Sequence, residues 1–300
     1  MTKKEKFLVT GAAGYIGNEF VKELIGRGYR YRATDKNMSP QIMVQDQFDL
    51  TIHDRVSELI SDYCPDIVLH FGSYSSGVYS EDYATALRED INALINILDC
   101  LQKFPATKFV YCSSSYVYSG LTTVEVCEDD ARLEQSNSFG CSKLIFENII
   151  SRMCENFIIF RLANVYGPGR MINETMISSW FVDAASQGKI YVWGQGARKI
   201  QFTYMKDLVR CVFDYANISS GIYNLGGIGY VSVKDVAKFV ADLFSVEIEY
   251  LADKDEGVTL PYMSSRKITS ELGDETVFTQ LFTGITEYFD SVVSEKYEKI

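Results

Sequence analysis

The chain has 300 residues, enough for one large domain or two smaller ones. Its 47% hydrophobic and 23% charged residues are those of an ordinary globular protein, and no apolar run approaches the roughly 20 residues of a membrane helix. A net charge of −11 argues against a nucleic-acid or anionic-membrane surface, which need clustered Lys and Arg, but leaves room for a phosphate-bearing ligand held by backbone N–H groups.

The basic start, Met1 to Lys6, is followed by only Phe7-Leu8-Val9 before a Gly-rich turn, too little apolar chain for a signal peptide. Phe7–Thr10 reads as a strand, Ile16–Ile25 as a helix ending near Gly26 and Gly28, and Tyr29–Thr34 as a second strand ended by Asp35. Arg55–Asp62 is expected to be helical, Ile67–Phe71 an apolar strand, and Ala84–Leu101 a helix. Phe109–Cys112 and Phe157–Leu162 read as buried strands flanking a helix over Lys143–Met153. Strands apolar throughout and separated by helices predict an α/β fold, a doubly wound parallel sheet. After Tyr166 the texture changes. Helices are expected over Met176–Ser186, Val233–Phe244 and Ile285–Val293, with short strands at Ile190–Trp193 and Ile222–Leu225. Residues 1–166 are therefore read as one α/β domain with returning segments near 200–225, and 167–300 as mainly a smaller lobe.

The strongest local signal is Gly11-Ala12-Ala13-Gly14-Tyr15-Ile16-Gly17, placed after the first strand and opening the first helix. Such glycines allow a sharp turn and close approach of backbone to a pyrophosphate, which then faces the free N–H groups of the helix start. Asp35 ends the second strand 18 residues after Gly17, where a carboxylate accepts the ribose hydroxyls and repels a 2′-phosphate, favouring NAD over NADP. Lys36 and Asn37 follow it, and Lys36 weakens that preference. Asp49 and Leu50 are candidates for adenine contact or a plain helix start, and Phe71, Gly72 and Ser73 end a strand at the ligand crevice of such a sheet.

The seven scattered cysteines read as reduced thiols of a cytoplasmic protein, and two histidines, His53 and His70, give no His-rich metal site. Trp180 and Trp193 are read as core residues rather than as the wall of a base pocket, and Cys141 as packed rather than nucleophilic.

From Phe7 to about Leu272 these pieces resemble the extended short-chain dehydrogenase/reductase family, the NAD-dependent epimerases, dehydratases and ketoreductases of nucleotide sugars. The resemblance rests on the glycine motif, His70-Phe71-Gly72-Ser73, Phe109 to Tyr118 (FVYCSSSYVY), Arg161 to Gly169 (RLANVYGPG) and Phe202 to Asp207 (FTYMKD). It implies NAD as cofactor, a nucleotide-sugar substrate and a homodimer. It implies that Ser114 and Lys143 are catalytic, Ser114 as the family's Ser/Thr at the sugar and Lys143 as the lysine that lowers the pKa of the family's tyrosine and holds the nicotinamide ribose. It places Asn164 on the sugar diphosphate, and Ser115 and position 139 beside the sugar.

That family carries a tyrosine four residues before the lysine as its proton-transfer group, and here that position is Phe139. Tyr116, two residues after Ser114, is the first candidate to replace it, with Tyr74 behind. Ser115-Tyr116 also stands where 4,6-dehydratases carry an Asp-Glu pair, which favours epimerase or 4-ketoreductase chemistry over dehydration. Asp90 occupies a position where the family usually has Asn. Ile200-Gln201-Phe202 lacks the Arg of the family's R-D-F, leaving Arg198 or Lys199, with Arg266 further on, as candidate diphosphate ligands. Alternatives are a non-catalytic NAD- and nucleotide-sugar-binding regulatory subunit, like that of methionine adenosyltransferase, and an unusual dehydratase.

Overall fold

The first strand, β1 (Lys6–Thr10), is buried on both faces: Phe7, Leu8 and Val9 alternate between two apolar cores laid down by helices on either side of a sheet. The structure is a computed structural model that describes residues 5–134, 137–169, 175–214, 218–273 and 278–297; the basic Met1–Lys4 lies outside them. The chain continues through α1 (Tyr15–Gly26), β2 (Arg30–Asp35), β3 (Asp46–Gln47), α2 (His53–Tyr63) and β4 (Ile67–His70). Then follow α3 (Ser76–Glu81), α4 (Tyr83–Leu101), β5 (Lys108–Ser114), β6 (Glu125–Val126), α5 (Ser138–Met153), β7 (Phe157–Leu162) and β8 (Asn164–Tyr166). The remainder comprises α6 (Met176–Gln187), β9 (Lys189–Trp193), β10 (Lys199–Ile200), β11 (Phe202–Tyr204), α7 (Met205–Phe213), β12 (Gly221–Leu225) and β13 (Val231–Ser232). It closes with α8 (Val233–Phe244), β14 (Glu247–Leu251), β15 (Tyr262–Met263), α9 (Arg266–Leu272) and α10 (Leu281–Tyr297).

Seven strands form one parallel sheet in the order β12-β7-β5-β4-β1-β2-β3. The chain runs outward from β1 through β2 to β3, then returns to the other side of β1 at β4. Strand order therefore reverses between β1 and β4, which is where parallel sheets open a ligand crevice. One face is covered by α1 and α7, with Phe20, Leu24, Leu208 and Cys211 in its core. The other lies under α2, α4 and α5, through Leu59, Leu94, Ile97, Phe146 and Ile150. A separate core gathers Trp180, Phe181, Val192, Val236, Val240 and Tyr288 from α6, β9, α8 and α10.

Two details differ from the sequence expectation. Helix α5 begins at Ser138 rather than near Lys143, because the Asn137 side chain accepts the Gly140 N–H at 2.8 Å and caps the extra turn. Trp180 is a core residue whose indole N–H donates to the Tyr191 carbonyl at 2.7 Å, but Trp193 is 59% exposed: it ends β9, which pairs with β14 in a two-stranded ribbon.

Candidate active site

The glycine motif forms the turn between β1 and α1. Gly11 has φ +68°, and a Cβ there would stand 2.4 Å from the Gly72 nitrogen; a Cβ on Gly17 would stand 2.2 Å from the Gly11 carbonyl oxygen. No side chain fits either place, so the turn lies flat against the end of β4 and leaves the start of α1 open. Asp35 holds this turn from the next strand. One carboxylate oxygen accepts the Ala13 N–H at 3.0 Å and the other the Asn37 N–H at 2.8 Å. Asp35 is thus a brace for the turn as well as an acceptor facing the crevice.

Three clefts run end to end along the C-terminal edge of the sheet. The first is lined by Gly11, Gly14, Asp35, Lys36, Asn37, Asp49, Leu50, Phe71, Gly72 and Ser73. The second, about 600 Å³, shares Gly11, Gly14, Phe71 and Ser73 with it and adds Tyr15, Ile16, Gly17, Ser114, Phe139 and Lys143. The third holds Ser115, Tyr116, Asn164, Arg198 and Lys199, and adjoins the second at Ala163. The site residues expected from the sequence therefore fall along one groove in the order Asp35 end, glycine turn, Lys143 centre, Arg198 end. Arg266 is the one that does not: its side chain is 83% exposed at the start of α9 and pairs with Glu125 at 3.3 Å.

The cation expected to favour a 2′-phosphate is engaged elsewhere. Lys36 Nζ contacts the Tyr74 hydroxyl and lies 3.7 Å from Glu89, while the Tyr74 hydroxyl donates to Glu89. Tyr74 is accordingly tied to the Asp35 end of the groove. At the far end, the Arg198 backbone N–H donates to Glu256 at 2.8 Å, while its buried Nε has no hydrogen-bond partner among the described residues. Gln201, at the altered R-D-F segment, is a structural residue bonded to Gly227 and Met263.

At the centre, Lys143 is 4% exposed, and its Nζ donates to Ser73 Oγ at 2.9 Å and to the Tyr111 hydroxyl at 2.8 Å. Burial lowers its pKa to about 8, against the opposing pull of Asp90. The Phe139 ring lies one helical turn earlier with its centroid 5.4 Å from Nζ. Tyr79 and Tyr116 meet that ring edge to face, at 5.3 and 5.8 Å between centroids. Beneath β5, Arg161 donates to both oxygens of Glu147, at 3.0 and 2.6 Å, and Ser113 donates to Glu147 at 2.5 Å. This buried pair fixes the strand end that presents Ser114.

Two residues of consequence carry no signal readable in isolation. Gly140 allows α5 to touch the Ser115–Tyr118 turn, where a Cβ would stand 2.1 Å from the Tyr116 carbonyl oxygen. Glu147, one turn after Lys143, could be read only as a charge on an otherwise apolar helix face.

The fold and site define a doubly wound α/β protein whose glycine turn opens on a groove of three adjoining clefts. The matching family model is that of the NAD dependent epimerase/dehydratase family, over residues 7–226, and the chain belongs to that family. Among curated relatives, it is 29% identical over 265 residues to a dTDP-4-dehydro-6-deoxy-D-allose reductase of a Streptomyces species, covering 78% of this chain and 79% of that one. Among solved structures, MoeE5 in complex with UDP-glucose and NAD matches with TM-score 0.83 at 25% identity, covering 97% of this chain and 99% of that one. The Thermus thermophilus UDP-glucose 4-epimerase complex with NAD matches in fold with TM-score 0.82 at 19% identity, over 95% and 98% of the two chains. NAD is the cofactor of the family, and the glycine cradle, which any Cβ would fill, fits its diphosphate.

Proposed function

We propose that the chain is an NAD-dependent enzyme acting on a nucleotide-activated sugar, of the 4-epimerase or 4-ketoreductase type. The observation that carries this reading is the continuity of the three clefts, which join a dinucleotide cradle to a third cleft lined by Asn164 and by Arg198, whose Nε is without a hydrogen-bond partner among the described residues. A guanidinium with such a buried N–H suits a diphosphate. The relatives named for dTDP- and UDP-sugars support the same ligand class.

Gly11, Gly14, Tyr15, Ile16 and Gly17 would hold the diphosphate of NAD, and Asp35, Lys36, Asn37, Asp49 and Leu50 its adenosine. Phe71, Gly72, Ser73 and Lys143 would border the rest. When bound, NAD supplies a reversible two-electron acceptor beside a sugar carbon. Ser114 hydrogen-bonds the reacting sugar hydroxyl, Lys143 supplies positive charge beside it, and Tyr116 is the proton-transfer candidate in place of Phe139. Ser115, Phe139, Asn164 and Arg198 contact the sugar nucleotide. Arg266 would join them only if its pairing with Glu125 broke as α9 moved inward. Among the described residues lining the second and third clefts there is no carboxylate, which speaks against elimination of water by an acid–base pair. The division into a cofactor domain, residues 1–166 with returning segments, and a substrate lobe, 167–300, belongs to this reading. So do a homodimeric, cytoplasmic enzyme and the absence of nucleic-acid partners. Among the described residues no helix is long and apolar enough to cross a membrane.

The test incubates the purified protein with NAD or NADH and a panel of UDP- and dTDP-sugars, 4-keto sugars included, in deuterated water. Sugar products and absorbance of the reduced cofactor are followed. Turnover of at least one supports the reading. Tight NAD and sugar-nucleotide binding without turnover or isotope exchange would instead make the chain a regulatory binder.

A further inference from the structure

Lys143 is an ammonium buried beneath the cleft, and such a charge needs an anion close by. The titratable groups facing it are Glu147 on its own helix, Cys112 and Tyr111 on β5, His70 on β4, and Asp90 on α4 with Tyr79 of α3 behind it. Glu147 is engaged by Arg161 and Ser113. Burial pushes the Cys112 thiol up to about 12, raises the Tyr111 phenol and lowers His70 to about 3, so all three are neutral near pH 7. Asp90 remains.

Its geometry forms a directed chain. Lys143 donates to Ser73 Oγ at 2.9 Å, and Ser73 Oγ donates to Asp90 Oδ2 at 2.7 Å. The same carboxylate accepts the Tyr79 hydroxyl at 2.8 Å and the Tyr74 backbone N–H at 3.1 Å. Asp90 is 6% exposed in the middle of α4, and the half-buried Ser73 carries its charge to Lys143 at the wall of the cleft. Two of the three N–H groups of Lys143 are taken by Ser73 and Tyr111, which leaves one for whatever lies in the cleft. On the other side, position 139 offers a phenyl face, which attracts a cation weakly and cannot carry negative charge.

We propose that Asp90 is the positioning residue of this site: acting through Ser73, it supplies the negative charge that keeps Lys143 an ammonium and fixes where its remaining N–H is presented. This takes over the balancing role that an ionisable phenol at position 139 would have. The inference rests on the proposed function only for what Lys143 touches; the coupling of Asp90 to Lys143 is a property of the protein alone.

The test is a carbon-13 NMR titration of the full chain carrying labelled lysine, with the Lys143 signal assigned by its loss in Lys143→Met. Asp90→Asn keeps the size of the side chain and removes the charge. It is expected to move the Lys143 midpoint downward by about one pH unit or more. Ser73→Ala, which leaves Asp90 bonded to Tyr79 and Tyr74, is expected to move it in the same direction by less, and it carries the test if Asp90→Asn does not fold. An unchanged midpoint in the folded variants overturns the proposal. With a turned-over sugar nucleotide in hand, Asp90→Asn should lower kcat and move the pH profile of kcat toward acid; a profile that stays in place would also overturn it. A failure to find any substrate leaves the NMR outcome intact, so the two readings fail separately.

Discussion

Phe139 and Lys143 stand one turn apart on α5, with the ammonium 5.4 Å from the centre of the phenyl ring. The spacing that would set a phenol beside a lysine is kept, but the hydroxyl is absent. Restoring it in Phe139→Tyr should raise kcat on the sugar nucleotide by about tenfold or more, since a positioned acid or base contributes about 10²–10⁴-fold. Tyr116→Phe should lower kcat by a similar factor in the natural background and matter less in the Phe139→Tyr background. Steady-state kinetics of the single and double variants decide this. An unchanged rate in Tyr116→Phe removes Tyr116 from the mechanism.

The turn over β1 tolerates no side chain. Gly17→Ala would drive a methyl group to 2.2 Å from the Gly11 carbonyl oxygen, so the turn must shift away from the start of α1. NAD affinity, read by calorimetric titration, should fall by about 100-fold or more, because the N–H groups facing the diphosphate lose their alignment. Retained affinity would mean that the cofactor does not lie there.

In the proposed placement of NAD, cofactor choice rests on Asp35 together with the pairing of Lys36. Glu89→Gln frees Lys36 from its exposed ion pair, which is a small effect at such exposure. The ratio of NADP to NAD affinity should rise by about threefold to tenfold in this variant, and further in Asp35→Ser with Glu89→Gln. Parallel titrations with both dinucleotides measure it.

The pair beneath β5 is a structural support of the site. Glu147→Gln leaves the Arg161 guanidinium buried without its anion, and breaking such a pair costs about 3–5 kcal/mol. Urea unfolding should show a loss of that size, with Ser114-dependent activity falling alongside.

His70 gives a signed pH dependence. It is 2% exposed, bonded to Thr10 at 2.6 Å, and burial lowers its pKa to about 3. The unfolded chain, with an ordinary histidine near 6.5, therefore binds the extra proton first. Stability is fully present above about pH 6.5 and is lost as pH falls toward 3, with a slope of up to about 1.4 kcal/mol per pH unit from this group. His70→Gln should flatten the decline in unfolding free energy between about pH 6 and 4, and an unaltered slope would place the acid sensitivity elsewhere.

Local sequence determined the framework. Runs such as Phe7-Leu8-Val9 and Ile158-Ile159-Phe160, bounded by turn signals and alternating with helical stretches, read as strands buried on both faces, and the glycines with Asp35 marked the turn between β1 and α1, because backbone sterics and apolar periodicity act over a few residues. That position 139 carries Phe where a phenol is expected was legible only through the family resemblance, which supplies the tyrosine four residues before Lys143. What required the tertiary structure is which groups meet across elements. Asp90 reaches Lys143 through Ser73, Lys36 is drawn to Tyr74 and Glu89, Arg198 lines the far cleft while Arg266 faces outward, and Trp193 stands exposed. Charge pairing and side-chain direction depend on distances between segments far apart along the chain, which no local pattern of amino acids encodes.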